Sequence, residues 1–161
     1  MHERYASGLS DEAAEQSIKT LNANLASVID LSLAVKQAHW TLAGSGFIGV
    51  HELLDSAGDN LRDILDKFAE RIVITGGTPK GTSQAIVEST ALNAYPTDIV
   101  DLQLHVKELV ARYKSVAASL RKAIDTTSEA GDEDASDLFT EASRIVDKDA
   151  WFIGSNANIA K

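Results

Sequence analysis

The chain has no cysteine among its 161 residues. That excludes a disulfide frame, a thiolate zinc site and a cysteine nucleophile. Met1 is its only methionine, so beyond the start there is no sulfur to oxidise. This suits a protein that handles peroxide, although plain composition explains it equally well. Only two prolines occur, Pro79 and Pro96, both in the middle third. The stretches on either side carry no strong helix breaker. No run of about 18 apolar residues is present, and the N-terminus has no apolar signal core. A cytoplasmic protein that does not cross a membrane is the expectation. Basic charge is scarce too: 15 Lys and Arg stand against 24 Asp and Glu, a net charge of −9. Duplex affinity is dominated by Lys and Arg neutralising phosphates, so this balance argues against general phosphate binding. It suits cations as partners. There is no strand signal, internal repeat or low-complexity segment.

What is present is helical periodicity. Ser10-Asp11-Glu12-Ala13 is a good helix start, with acids where the helix dipole favours them. Ile18, Leu21, Leu25, Val28, Leu31 and Val35 then recur at helical spacing to about Trp40. Gly44-Ser45-Gly46 breaks the pattern. A second helix runs from about Phe47 to Val73, with Gly58 inside it at a cost of about 1 kcal/mol against Ala. Gly76-Gly77-Thr78-Pro79 ends it. Residues 78–96 form a long connection with a short helix near Ser83–Ser89. Tyr95-Pro96-Thr97-Asp98 is expected to open a third helix, carrying Ile99, Leu102, Val106, Leu109, Tyr113, Val116, Leu120 and Ile124. An acidic break, Ser128 to Asp134, leads to a fourth helix over about 135–157. The expected fold is all-α: one domain over residues 1–161, with 1–10 as a flexible tail. One long crossover between the second and third helices is the ferritin-like variant of the four-helix bundle.

The second helix holds the informative pattern. His51-x-x-x-Asp55 and Asp66-x-x-x-Glu70 each nearly share a face, and the two pairs lie only ~20° apart around the axis. Yet Asp55 and Asp66 are about 16 Å apart along it. No single ion spans that gap, so either the stripe is decoration or a second copy of the helix completes a site. His39, near the end of the first helix, falls close to His51 across the glycine turn. On an antiparallel copy of the second helix, Asp66 and Glu70 arrive opposite them. Two histidines and three carboxylates suit Fe(II), Zn or Mn, and a two-fold axis makes such a site in duplicate. The Glu-x-x-His motifs of intrachain di-iron bundles are missing. Asp63 is a candidate supporting residue or part of a solvated face. His2 and His105 are assigned to no site.

Several blocks carry a family likeness. Lys36-Gln37-Ala38-His39-Trp40, Gly46-Phe47-Ile48-x-Val50-His51-Glu52-Leu53-Leu54-Asp55 and Asp66-x3-Glu70-Arg71 resemble the Dps family of mini-ferritins. So do Ala94-Tyr95-Pro96-Thr97-Asp98, Arg121-Lys122-Ala123-Ile124 and Ala142-Ser143-Arg144-x2-Asp147-Lys148-x2-Trp151-Phe152. The resemblance implies a homo-dodecameric shell with ferroxidase centres between two-fold partners. There Fe(II) is oxidised, preferably by hydrogen peroxide, and ferric mineral is stored inside, protecting against oxidative damage. Carried over by position, the metal ligands are His39, His51 and Asp55 from one subunit with Asp66 and Glu70 from its partner. Trp40 resembles the family tryptophan that intercepts oxidising equivalents; interface packing is its other reading. The resemblance also implies iron entry through acidic three-fold pores. Asp134 and Asp137 are the candidates, with Asp132 and Glu133 as an outer funnel; a plain acidic loop is the alternative. The chain departs from the family in its tails. Residues 1–18 hold one Lys or Arg, Arg4, and the C-terminus adds only Lys161. DNA binding is therefore expected to be weak or absent, against the rival reading of a nucleoid-condensing protein. Ser56-Ala57-Gly58 is a second departure, since relatives often carry an aromatic followed by Arg at the last two positions.

Overall fold

The computed structural model describes residues 2–158; Met1 and the expected sparse basic charge at Lys161 lie outside them. Within that span the chain forms five helices: α1 Asp11–Thr41, α2 Phe47–Ile74, α3 Ser83–Ser89, α4 Leu102–Ala130 and α5 Glu133–Gly154. The four long ones make the expected bundle, and α3 lies on the crossover against α1. None of the described helices is long and apolar enough to cross a membrane.

Ser10 caps α1, its side chain accepting the Ala13 N–H at 3.1 Å. The stripe Leu21, Leu25, Val28, Leu31 and Val35 is fully buried. It meets Leu54, Leu61, Phe68 and Ile72 of α2, and Leu109, Tyr113, Val116 and Leu120 of α4. Phe68 and Phe139 close the α2–α5 side edge to face, with centroids 5.0 Å apart. Each such side chain contributes about 1.5–3 kcal/mol on burial.

The end of α1 meets the start of α4, so those helices are antiparallel and α4 runs parallel to α2. The long crossover makes this possible. At this end the third long helix starts later than Pro96 and Asp98 suggest. Ala43 donates to Val100 O at 2.8 Å and Leu102 donates to Ala43 O at 3.0 Å. Those bonds hold Asp101 extended beside Ala43 of the α1–α2 turn, after a bend at Thr97–Asp98. Asp101, not Asp98, is the cap, accepting the Leu104 N–H at 3.0 Å.

At the other end the acidic break is shorter than its composition suggests. α4 continues through Ala130, and Gly131 (φ 91°) closes it in the left-handed conformation, which glycine adopts without steric cost. Asp132 then accepts the Ala135 N–H at 3.1 Å and starts α5 at once; α5 ends at Gly154, short of residue 157.

The N-terminal segment does not stand free as expected. Tyr5 and Ala6 both donate to Ile74 O, at 2.9 and 3.2 Å, and Arg4 pairs with Asp11 at 2.8 Å. Beside it, a Cβ on Gly77 would meet both Ile18 γ-carbons at 2.8 Å, so only glycine lets the chain leave α2 this close to α1.

Candidate metal centre

The α1–α2 turn builds one half of the site. Gly46 (φ 84°) reverses the chain in the left-handed region, bringing the last turn of α1 beside the first turns of α2. His39 and His51 then stack, centroids 3.7 Å apart and planes 20° from parallel. Two reciprocal contacts lock them. His39 Nδ1 lies 2.9 Å from His51 O, and His51 Nδ1 lies 3.0 Å from His39 O. A carbonyl can only accept, so each Nδ1 carries the hydrogen and each Nε2 keeps a free lone pair. This is how metal-binding imidazoles are oriented: one nitrogen held by the protein, the other left to the ion.

Asp55, one turn beyond His51, completes the group. One donor atom from each of His39, His51 and Asp55 fits within 4.8 Å of the others. His39 is buried while the Asp55 side chain is 51% exposed. Lys36 Nζ sits 2.6 Å from Asp55 Oδ1, and this ammonium holds the Asp55 carboxyl below the usual carboxylate range. Lys36 is the contact that motif reading missed. It lies one turn before His39, and that spacing was the available signal.

Asp66 and Glu70 lie on the same helix, exposed, and make no hydrogen bond or ion pair among the described residues. The chain does not bring them to the histidines; the rise of α2 puts Asp66 about 16 Å from Asp55 and about 22 Å from His51 along the helix. Trp40 is 69% exposed. It lines a groove of about 470 Å³ with Leu33, Lys36, Asp55, Gly58 and Arg62. Leu33 and Ile48 are also more than half exposed. Apolar side chains left in water around a ligand group mark a surface built to be covered.

Of the acidic residues before and within α5, Asp134 and Asp137 are exposed, as is Glu133, which accepts from Ser128 Oγ at 2.9 Å. Asp132 belongs elsewhere and leaves the candidate funnel. It is 2% exposed, and besides capping α5 it pairs with Arg71 at 2.6 Å. A carboxylate spent on a cap and a buried cation is not open to passing ions. Asp63 pairs loosely with Lys67 at 3.6 Å on the solvated face. His2 is exposed and joins no ligand group. His105 is buried among Tyr95, Thr41 and Ile99. One polar group the sequence did not signal is Asp149, 4% exposed. Asn60 donates to both its oxygens, at 3.0 and 3.2 Å. Burial pushes its carboxyl up to about 6, a rise the Asn60 bonds only partly oppose.

Comparison with known proteins agrees with this architecture. The family model of the ferritin-like domain matches residues 18–159. A DNA protection during starvation protein from Agrobacterium fabrum is 50% identical over 145 residues, covering 90% of each chain. A protein of the same description from Mycolicibacterium smegmatis is 33% identical, covering 95% of this chain and 83% of the relative. Among solved structures, a tetragonal form of Mycobacterium smegmatis Dps superposes with a TM-score of 0.93 at 32% identity, over 99% of this chain and 96% of that one. DpsA14 from Streptomyces coelicolor gives 0.91 at 30% identity, over 99% and 98%.

Proposed function

This chain belongs to the Dps branch of the ferritin-like family, and from that premise we propose that it oxidises Fe(II) with hydrogen peroxide and stores the ferric product in a dodecameric shell. The observation that carries the reading is the half-site. His39, His51 and Asp55 offer three donors within 4.8 Å, and both imidazoles are oriented with Nε2 free. An Asp66–Glu70 pair from a two-fold partner supplies the remaining carboxylates. Imidazole with carboxylate suits Fe(II); Zn or Mn fit the same set.

Iron is the substrate here. The two histidines hold it without adding charge when neutral. The three carboxylates favour the ferric product over the ferrous reactant, because each is anionic and the ion gains positive charge on oxidation. Where two Fe(II) react together, peroxide takes one electron from each and, with two protons, leaves as two waters; hydroxyl radical forms only where a single Fe(II) reacts. Lys36 occupies the Asp55 oxygen until a stronger cation displaces it. Asp134, Asp137 and Glu133, repeated around a three-fold axis, draw cations inward. Trp40, at the mouth of the groove, packs against the partner and stands where it can donate an electron to a stray oxidant. A cytoplasmic location belongs to the same proposal.

The names of the relatives favour a second reading, protection by coating DNA. The charge opposes it: −9 per subunit repels a polyanion. Arg4 is the one basic residue before position 19, and it is already paired with Asp11. Tight retardation of duplex DNA in a gel at physiological salt would reinstate that reading.

The iron reading is tested by loading Fe(II) anaerobically, adding peroxide and following ferric absorbance. The expected result is a rate well above buffer that collapses in His51→Ala plus Asp55→Ala. A buffer-like rate in the parent protein, or no change in the variant, ends the claim.

A further inference from the structure

Tyr95 and His105 form a pair that the half-site does not use. The Tyr95 hydroxyl lies 2.7 Å from His105 Nδ1. His105 Nε2 lies 3.1 Å from Ile99 O, which can only accept, so Nε2 carries the hydrogen and Nδ1 is bare. Tyr95 is therefore the donor and His105 the acceptor. His105 is 1% exposed, and that burial lowers its pKa, so it stands neutral with Nδ1 accepting from the phenol. Arg112 sits over the Tyr95 ring, 4.8 Å from its centroid, and burial pushes the phenol well above its ordinary range.

These features favour one kind of chemistry. A cation over the ring makes an aromatic radical cation costly, and the raised pKa makes a standing phenolate rare. An electron can leave Tyr95 only together with its proton, and the proton has a bonded acceptor. The other tyrosines lack this. Tyr113 is fully buried with no partner for its hydroxyl among the described residues, and Tyr5 is 68% exposed. The placement is pointed as well. Thr41 Oγ lies 3.3 Å from His105 Nε2, and Thr41 directly follows Trp40 and lies two residues after His39.

We propose that Tyr95 and His105 form a proton-coupled electron donor that quenches one-electron oxidants escaping the iron site. The step balances as follows. Hydroxyl radical takes one electron from Tyr95 and becomes hydroxide. The phenolic O–H bond breaks, its proton forms a bond to His105 Nδ1, and a neutral tyrosyl radical remains beside an imidazolium. This use rests on the iron reading, but the pair's competence does not, so the two fail separately.

Two arms test it. In the iron-free assembled protein, a ruthenium photo-oxidant with a sacrificial acceptor draws one electron, and electron paramagnetic resonance reads the radical. A tyrosyl signal that is lost in Tyr95→Phe, and whose formation slows in His105→Gln and in deuterated water, is expected. No tyrosyl signal, or one that survives Tyr95→Phe, overturns the pair. Tyr95→Phe removes a single hydroxyl, so loss of signal is not loss of fold; circular dichroism checks this. In the second arm, Fe(II) and peroxide are added, and ferric absorbance and the radical are read from the same sample. Ferric product with a Tyr95-dependent radical supports the proposed use. Ferric product with no Tyr95-dependent radical overturns it and leaves the iron reading standing. No ferric product above buffer overturns the iron reading, and with it this use of the pair.

Discussion

His51 and Asp55, near the start of α2, sit among partners: a stacked His39, two backbone carbonyls and the Lys36 ammonium. Asp66 and Glu70, further along the same helix, are exposed and make no such contacts among the described residues. The chemistry of the two pairs is alike, but one is preorganised by its own chain and the other is merely presented. Rotamer freedom costs up to about 2 kcal/mol for a Glu side chain when it is ordered. The first half has met that cost in folding; under the proposed function the second would meet it on assembly. On the proposed reading, a centre with one rigid and one adaptable half should bind an ion only when two copies are joined.

The largest expected effect breaks the comparison from both sides. Asp66→Ala plus Glu70→Ala should abolish ferric formation as completely as His51→Ala plus Asp55→Ala, despite about 16 Å between the pairs in one chain. Co-assembling the two inactive variants should then restore activity. In a mixed two-fold pair, one centre has both halves intact and the other has neither. Random pairing leaves about a quarter of the centres whole. A co-assembled mixture that stays at the buffer rate would show that both halves act within one chain.

The sequence shows this comparison more plainly than it shows the fold's edges. Helical rise and turn angle place His51, Asp55, Asp66 and Glu70 on one stripe because α2 is regular throughout. The glycine turn brings His39 over because Gly46 takes the left-handed conformation that a tight reversal needs. Legibility stops where a tertiary bond decides. Pro96 and Asp98 read as a helix start, but the bonds from Ala43 and Leu102 hold Asp101 extended and delay the helix to Leu102. Asp132 reads as one more acid in an acidic run, and only the fold gives it Arg71. The folded-back N-terminus depends on Ile74 O, which no local pattern announces. Lys36 lies one turn before His39, but its partner Asp55 belongs to another helix, so spacing alone does not name the contact.

A smaller effect sharpens the view of α2 as a rigid spacer. Asn60, between the two pairs, holds the buried Asp149 of α5. The Asp149 pKa rises from 3.8 unfolded to about 6 folded. For an acid with a raised folded pKa, the protonated form is the one the fold favours. Its contribution is therefore best below the unfolded value, falls as pH climbs towards 6, and is a constant penalty above. Two units correspond to about 3 kcal/mol at most. Asp149→Asn keeps an acceptor for Asn60 and removes the charge. It should stabilise the protein by roughly 1–3 kcal/mol at neutral pH and by little near pH 4, as read from denaturant midpoints at the two pH values. An equal shift at both would assign the effect to packing rather than ionisation.

The smallest expected effect lies at Gly58, on the face between the two half-sites. Glycine inside a helix costs about 1 kcal/mol against alanine. A Cβ there would meet only Val35 Cγ1 at 4.0 Å, an ordinary contact. Gly58→Ala should therefore raise stability by about 1 kcal/mol and leave the ligand spacing along α2 unchanged. The position also lines the groove beside Trp40, where a partner copy would lie. If the groove has room to spare, ferric formation and assembly mass stay as they were while the denaturant midpoint rises. If the partner fills it to contact, the added methyl weakens assembly, and light scattering at low subunit concentration shows dissociation despite the stiffer helix. The same substitution thus separates two reasons for a glycine at that point: helix composition left unoptimised, or close approach of a second chain.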